Sequence, residues 1–142
     1  MVRLVFLTSK FFDDYKNCPE IETKQDRPYV CAQLEIDGIT YCVPLRSNVR
    51  HEYTILTDKE NNCGLDFSKT VVAAKAEHID NTRRPHIRQN EFDVLKRLNH
   101  YDISRELKKY IRDYKRAKAH PEVPHNRELL KYSCLQYFEE YI

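Results

Sequence analysis

Two runs rich in β-branched, aromatic and other apolar residues, 29–36 and 39–45, flank the pair Asp37-Gly38. Asp-Gly readily takes up the positive φ angles of a tight turn, so the pattern predicts a β-hairpin across residues 27–51. Residues 2–7 (Val-Arg-Leu-Val-Phe-Leu) read as a short strand, and Thr8 or Ser9 is placed to cap a short helix through residues 10–15. Periodicity is then lost. Residues 17–26, with Pro19 and alternating charges, form a loop that delivers the chain to Arg27. Beyond the hairpin, residues 52–56 extend the sheet and 57–64 are a polar turn region; 71–74 form a short apolar strand led in by Ser68 and Lys69, and 80–85 a loop. From Gln89 the period lengthens to that of a helix. Phe92 and Leu95 share a face, then Ile103, Leu107, Tyr110, Ile111 and Tyr114, then Leu130, Cys134, Tyr137, Phe138 and Tyr141. Pro121 and Pro124 punctuate the last two helices. The pattern therefore predicts an α+β domain, a small antiparallel sheet followed by a helical C-terminal third. The tyrosines of these stripes read as core and rim packing.

At 142 residues the chain fits one domain, long enough to bury about 68–70% of its unfolded surface. With 41% hydrophobic and 32% charged residues it reads as soluble, and no apolar run approaches the roughly 20 residues that span a bilayer. The first eight residues are too short in apolar length for a secretory leader and lack a small-residue cleavage site, so a cytoplasmic protein is expected. The five cysteines are odd in number and scattered, without C-x-x-C spacing, and read as reduced structural thiols. Net charge is +2, but it is unevenly laid out. Residues 1–80 hold 10 basic and 13 acidic side chains, residues 81–142 hold 14 and 9, and residues 83–118 alone hold 12 and 5. That segment is a candidate footprint for a polyanion; its alternative is a solvated helix face.

Several chemistries find no motif. There is no H-E-x-x-H, no H-x-E with C-x-x-C and no clustered carboxylates for a metal; with only Gly38 and Gly64 there is no phosphate-cradling glycine loop; no nucleophile elbow occurs. One class needs neither metal nor cofactor: cleavage of RNA by its own 2′-hydroxyl. The protein then has to bind the phosphate, stabilise its extra negative charge and move two protons. A hairpin brings the residue before its first strand beside those after its second, so Arg27 meets Arg46, Ser47 and Asn48, a fit place for a phosphate. His51 suits proton transfer near neutrality, with Lys69 second.

The stretches Arg27-Pro28-Tyr29, Pro44-Leu45-Arg46-Ser47-Asn48, Cys63-Gly64-Leu65-Asp66-Phe67-Ser68-Lys69 and Arg84-Pro85-His86-Ile87-Arg88-Gln89-Asn90-Glu91-Phe92 carry a resemblance. Together with the Asp37-Gly38 turn, they make the chain, over most of residues 1–95, resemble the toxins of type III toxin–antitoxin systems, the ToxN/AbiQ superfamily, and most of all its TenpN branch. The resemblance implies a twisted, barrel-like antiparallel sheet of the MazF/Kid kind with flanking helices, and a metal-independent endoribonuclease without cofactors. It implies inhibition by a small repeat RNA antitoxin that the toxin itself processes, a closed protein–RNA assembly, cellular or phage RNA as substrate, and a role in phage defence. Ser47 matches the family's active-site serine and Arg27 a catalytic lysine, while Arg46 stands for a threonine and Phe11 for a tyrosine near the site. Arginine stays charged and is a poor base, which moves proton transfer towards His51. RNA contacts are expected from Phe11, Tyr29, Asn48, Arg83, Arg84, His86 and Arg88. The competing readings are an RNA-binding module that never cuts, which Tyr29, Tyr41 and the basic helices would serve equally well, and a protein-interaction domain.

Overall fold

A computed structural model describes residues 2–21 and 29–142 of the chain. Its sheet runs in the order β4 (Thr54–Asp58), β5 (Cys63–Asp66), β3 (Ile39–Arg46), β2 (Val30–Ile36), β1 (Arg3–Leu7), β7 (Ile79–Asp80), with β6 (Val71–Val72) paired to the other half of β3. All of these pairings are antiparallel. The sheet is open, and four helices accompany it: α1 (Ser9–Asp14), α2 (Gln89–Arg97), α3 (His100–Ala119) and α4 (Pro124–Tyr132). The α+β class and the antiparallel sheet are as the sequence pattern predicts.

The hairpin β2–β3 forms the middle of the sheet. Its two-residue turn has Asp37 at φ 52° and Gly38 at φ 79°, the left-handed pair that matches the twist of the strands. β3 has two partners on its outer edge. Tyr41 and Cys42 pair with β6, Leu45 and Arg46 with β5, and Pro44, which has no N–H to give to a ladder, lies between the two stretches. Cys31 and Cys42 adjoin across the hairpin as free thiols, and burial, reinforced by the neighbouring thiol, pushes Cys31 well above the ordinary range.

The structure departs from the pattern in four places. Residues 57–64 are not one turn region but the closed end of a hairpin, holding the end of β4, the turn 59–62 and the start of β5, because Thr57 is buried against Glu91 and Gly64 lets the two strands close up. A Cβ at Gly64 would press on the Ile55 carbonyl oxygen and lie 2.8 Å from Leu56 Cα. The strand expected over 71–74 shortens to two residues, and Ile79–Asp80, partly read as loop, pairs with β1. The helical stripe from 130 to 141 is broken at Ser133. There the buried hydroxyl accepts from Tyr110 at 2.6 Å and from the Leu135 N–H at 3.2 Å, so side chain replaces helix ladder, and 3₁₀ turns follow.

The core lies between the sheet and the helices. Leu34, Val43, Leu65 and Phe67 pack with Leu95, Ile103, Leu107, Tyr110 and Phe138, all at 1% exposure or less, each contributing about 1.5–3 kcal/mol of apolar burial. Asn99 and Asp102 close a capping box at the start of α3, and Pro124 opens α4 where its missing N–H costs nothing. No described helix is long and apolar enough to cross a membrane.

Candidate active site at the open end of the hairpin

Asp66 ends β5, and its carboxylate is the centre on which this end of the sheet converges. The β3–β5 register sets Arg46 opposite Gly64, so Asp66, two residues on, is its diagonal neighbour on the same face. Arg46 Nη1 donates to Asp66 Oδ2 at 2.9 Å. The other oxygen, Oδ1, accepts from the Ser68 N–H at 3.0 Å and the Ser68 hydroxyl at 2.5 Å, and faces His51 Nε2 at 2.9 Å. The Ser68 contacts cap the 3₁₀ turn Phe67–Lys69. Burial favours the neutral acid here, since the side chain is 2% exposed. The His51 and Ser68 hydrogen bonds and the charges of His51 and Arg46 outweigh it and hold the carboxyl below its ordinary value. Asp66 is therefore a buried, fixed anion.

The hydrogen bonds of His51 define its tautomer. Nδ1 accepts the Tyr53 backbone N–H at 3.1 Å, which leaves the ring proton on Nε2, directed at Asp66. The Ser68 hydroxyl also lies 3.3 Å from Nε2. This trio is not a nucleophilic triad, because the serine gives its proton to the carboxylate and the imidazole nitrogen nearest to it is already protonated. What the arrangement offers is a guanidinium and an imidazole held in fixed orientation on one carboxylate, each partly exposed.

Ser47 and Asn48 follow directly on Arg46 and are exposed, with Asn48 turned to φ 56°. Neither makes a side-chain hydrogen bond among the described residues. Tyr29 is half-buried and edge-on to Phe12 at 5.8 Å. Burial raises its phenol well above the ordinary range, and the charges of Arg46 and Asp66 both act on it. On the other side Tyr53 packs across Tyr110 at 5.0 Å and donates to Asp113 at 3.3 Å. Burial and then Asp113 push its phenol up to about 12.

Of the residues expected at the site, Arg46 and His51 are thus brought together on one carboxylate, with Ser47 and Asn48 at their side. Arg27 lies outside the described residues. Lys69 is drawn away: its ammonium is held at 2.6 Å by Glu20 and at 2.7 Å by the Tyr132 carbonyl, 12% exposed, and ties the chain before the hairpin to the end of α4. The expected RNA contacts scatter. Phe11 is fully buried between Phe12, Tyr15 and His78 and offers a ligand no surface. Arg83 is bound to Asp80 at 2.7 Å and stacks over Phe6, while Arg88 spans Asp58, Glu91 and the Cys63 sulfur. Arg84 and His86 are exposed and make no ion pair among the described residues. Sequence reading passed over Asp66, Ser68 and Tyr53; the Asp-x-Ser spacing of an Asx turn is the one local signal that marks the first two.

No family model matches this chain, and no curated protein or solved structure does either.

Proposed function

We propose that the chain is a metal-independent endoribonuclease of the type III toxin kind, with a sheet related to that of the MazF/Kid toxins, and that its natural inhibitor is a small repeat RNA. The observation that carries the reading is the buried Asp66 carboxylate, which fixes the Arg46 guanidinium and the His51 imidazole beside the exposed Ser47. A bound phosphodiester would be met by the partly exposed Arg46 guanidinium, whose charge is permanent. Ser47 orients the phosphate or the 2′-hydroxyl. That hydroxyl attacks its own phosphorus and loses its proton to solvent water, the 5′-oxygen leaves and takes up a proton, and a 2′,3′-cyclic phosphate results. His51 is the side chain placed to donate it: swung off the Tyr53 N–H and Asp66 and protonated on Nδ1, it is an imidazolium that returns to neutral imidazole on giving the Nε2 proton to the 5′-oxygen. Lys69, fixed as an ion pair, has no part in this scheme.

A second reading draws on the same ring. Both nitrogens of His51 are engaged, Nδ1 by the Tyr53 N–H and Nε2 by Asp66, which suits a module that binds RNA without cutting it. Induced expression without any upstream repeat RNA separates the two. Growth arrest with newly fragmented total RNA, both absent in Ser47→Ala, is the expected result. Intact RNA together with RNA co-purifying with the protein would select the binding module.

A further inference from the structure

The outer face of α3 carries charge that is mostly without an ion-pair partner among the described residues. At 3.6 residues per turn, Arg105, Lys108, Lys109, Arg112, Lys115 and Arg116 fall within an arc of about 120°, and all six are exposed. Every exposed charged side chain of this helix is basic or a histidine; Asp102, Glu106 and Asp113 are half-buried along one border. Arg105 and Arg116 reach those borders loosely, at 3.7 Å to Asp102 and 4.0 Å to Asp113. Lys108, Lys109, Arg112 and Lys115 make no ion pair among the described residues. Like charges three and four positions apart weaken a helix, so the stripe is set against the stability of the element that carries it.

Tyr101 begins the stripe. It is 70% exposed, with the Arg105 guanidinium 5.8 Å from its ring centre, an aromatic and cation pair of the sort on which bases stack. The face holds no aliphatic anchors that a membrane-surface helix would sink into lipid. The border residue Asp113 also connects the stripe to the site, accepting from Tyr53, whose backbone N–H binds His51. By contrast, Arg83 and Arg88, which open the 83–118 segment expected as the polyanion footprint, are engaged locally.

We propose that the α3 face is the tract along which a single strand of RNA runs on leaving the Asp66 site, its phosphates on the lysines and arginines and a base on Tyr101. This rests on the reading of the chain as an RNA-acting protein. Binding of a fluorescent 2′-O-methyl RNA of mixed sequence, which resists cleavage by its own 2′-oxygen, is measured by anisotropy across a potassium chloride series. Replacing Lys108, Lys109, Arg112 and Lys115 together by Gln should lower the slope of log affinity against log salt by about 2.8, four contacts at about 0.7 each, with helicity by circular dichroism retained. Tyr101→Ala should weaken binding by roughly 5- to 150-fold and leave the slope alone. A wild-type slope in the fourfold variant overturns the tract while leaving the RNA reading standing. Failure of the wild-type protein to bind this RNA overturns both. Tighter binding to duplex DNA, to an acidic protein or to phosphatidylserine vesicles, lost in the same variant, overturns RNA as the occupant.

Discussion

Among the described residues, the two carboxylate–histidine pairs in which one partner is buried are built the opposite way round. At Asp66 the carboxylate is buried and the imidazole of His51 is 38% exposed; at Asp14 the carboxylate is on the surface and the imidazole of His78 is 1% exposed. His78 Nε2 lies 2.8 Å from Asp14, its ring is edge-on to Phe11 at 5.3 Å, and its Nδ1 is buried without a partner among the described residues. Lys10 and Lys75 close over the carboxylate from outside. That pair pins α1 to the 3₁₀ turn before β7 and leaves no imidazole face open to a ligand. A buried anion instead holds a partly exposed guanidinium and imidazole in fixed orientation at the surface. Both join an aspartate, a histidine and basic side chains; only the arrangement at Asp66 leaves the imidazole at the surface.

The largest effect expected from this contrast is on activity. Arg46→Ala should lower RNA cleavage about 10²–10³-fold, and Arg46→Lys should recover little because the fork is lost. Lys75→Ala, at the Asp14 pair, should leave cleavage untouched in the same assay. Equal losses at both pairs would mean that activity reports stability alone.

Next comes stability, where the ranking reverses. His78→Ala empties a fully buried site between aromatic rings and should cost about 3 kcal/mol in urea denaturation. His51→Ala, on the surface, should cost less than about 1 kcal/mol. An inverted order would show that His51, not His78, is the structural histidine.

The smallest effect is on acid tolerance. The His78 and Lys10 hydrogen bonds hold Asp14 far below the ordinary 3.8, and Asp66 is also held below it, though less far. A carboxyl whose folded value is depressed adds stability above its unfolded value and loses it as pH falls through the folded one. Stability should therefore fall off below about 3.8, the unfolded carboxylate range. Asp14→Asn should flatten that acid limb more than Asp66→Asn, as read from denaturation midpoints taken downwards from neutral pH. An unchanged limb in Asp14→Asn would show that the Asp14 pair is not formed in solution.

What could be read from the sequence was what local chemistry determines. Asp37-Gly38 fixes its turn, Thr8 accepts the Phe11 N–H at the start of α1, and the spacing of Ile103, Leu107, Tyr110 and Tyr114 gives the buried face of α3. The centre of the site was not legible, because Asp66 gains its meaning from the β3–β5 register, a pairing that no periodicity encodes. The same register problem hid the β4–β5 hairpin, whose Asp58, Asn61 and Asn62 have the composition of an unpaired loop. Ser133 interrupts a sound helical stripe through one buried hydroxyl pair with Tyr110. For Lys69 and Arg83, residue type suggested chemistry, and their nearest carboxylates, Glu20 and Asp80, claimed them.

The central claim, that the Asp66-held pair beside Ser47 acts on RNA phosphate, is tested most directly by single-turnover cleavage in EDTA with the new ends identified. Ser47 is exposed and makes no side-chain hydrogen bond among the described residues, so Ser47→Ala should leave the melting temperature unchanged and any loss of rate is chemical. The account predicts cleavage that persists in EDTA, leaves a 2′,3′-cyclic phosphate and a 5′-hydroxyl, and slows about 10²–10³-fold in Ser47→Ala. A 5′-phosphate product, or a Ser47→Ala protein that cuts at the wild-type rate, would contradict it.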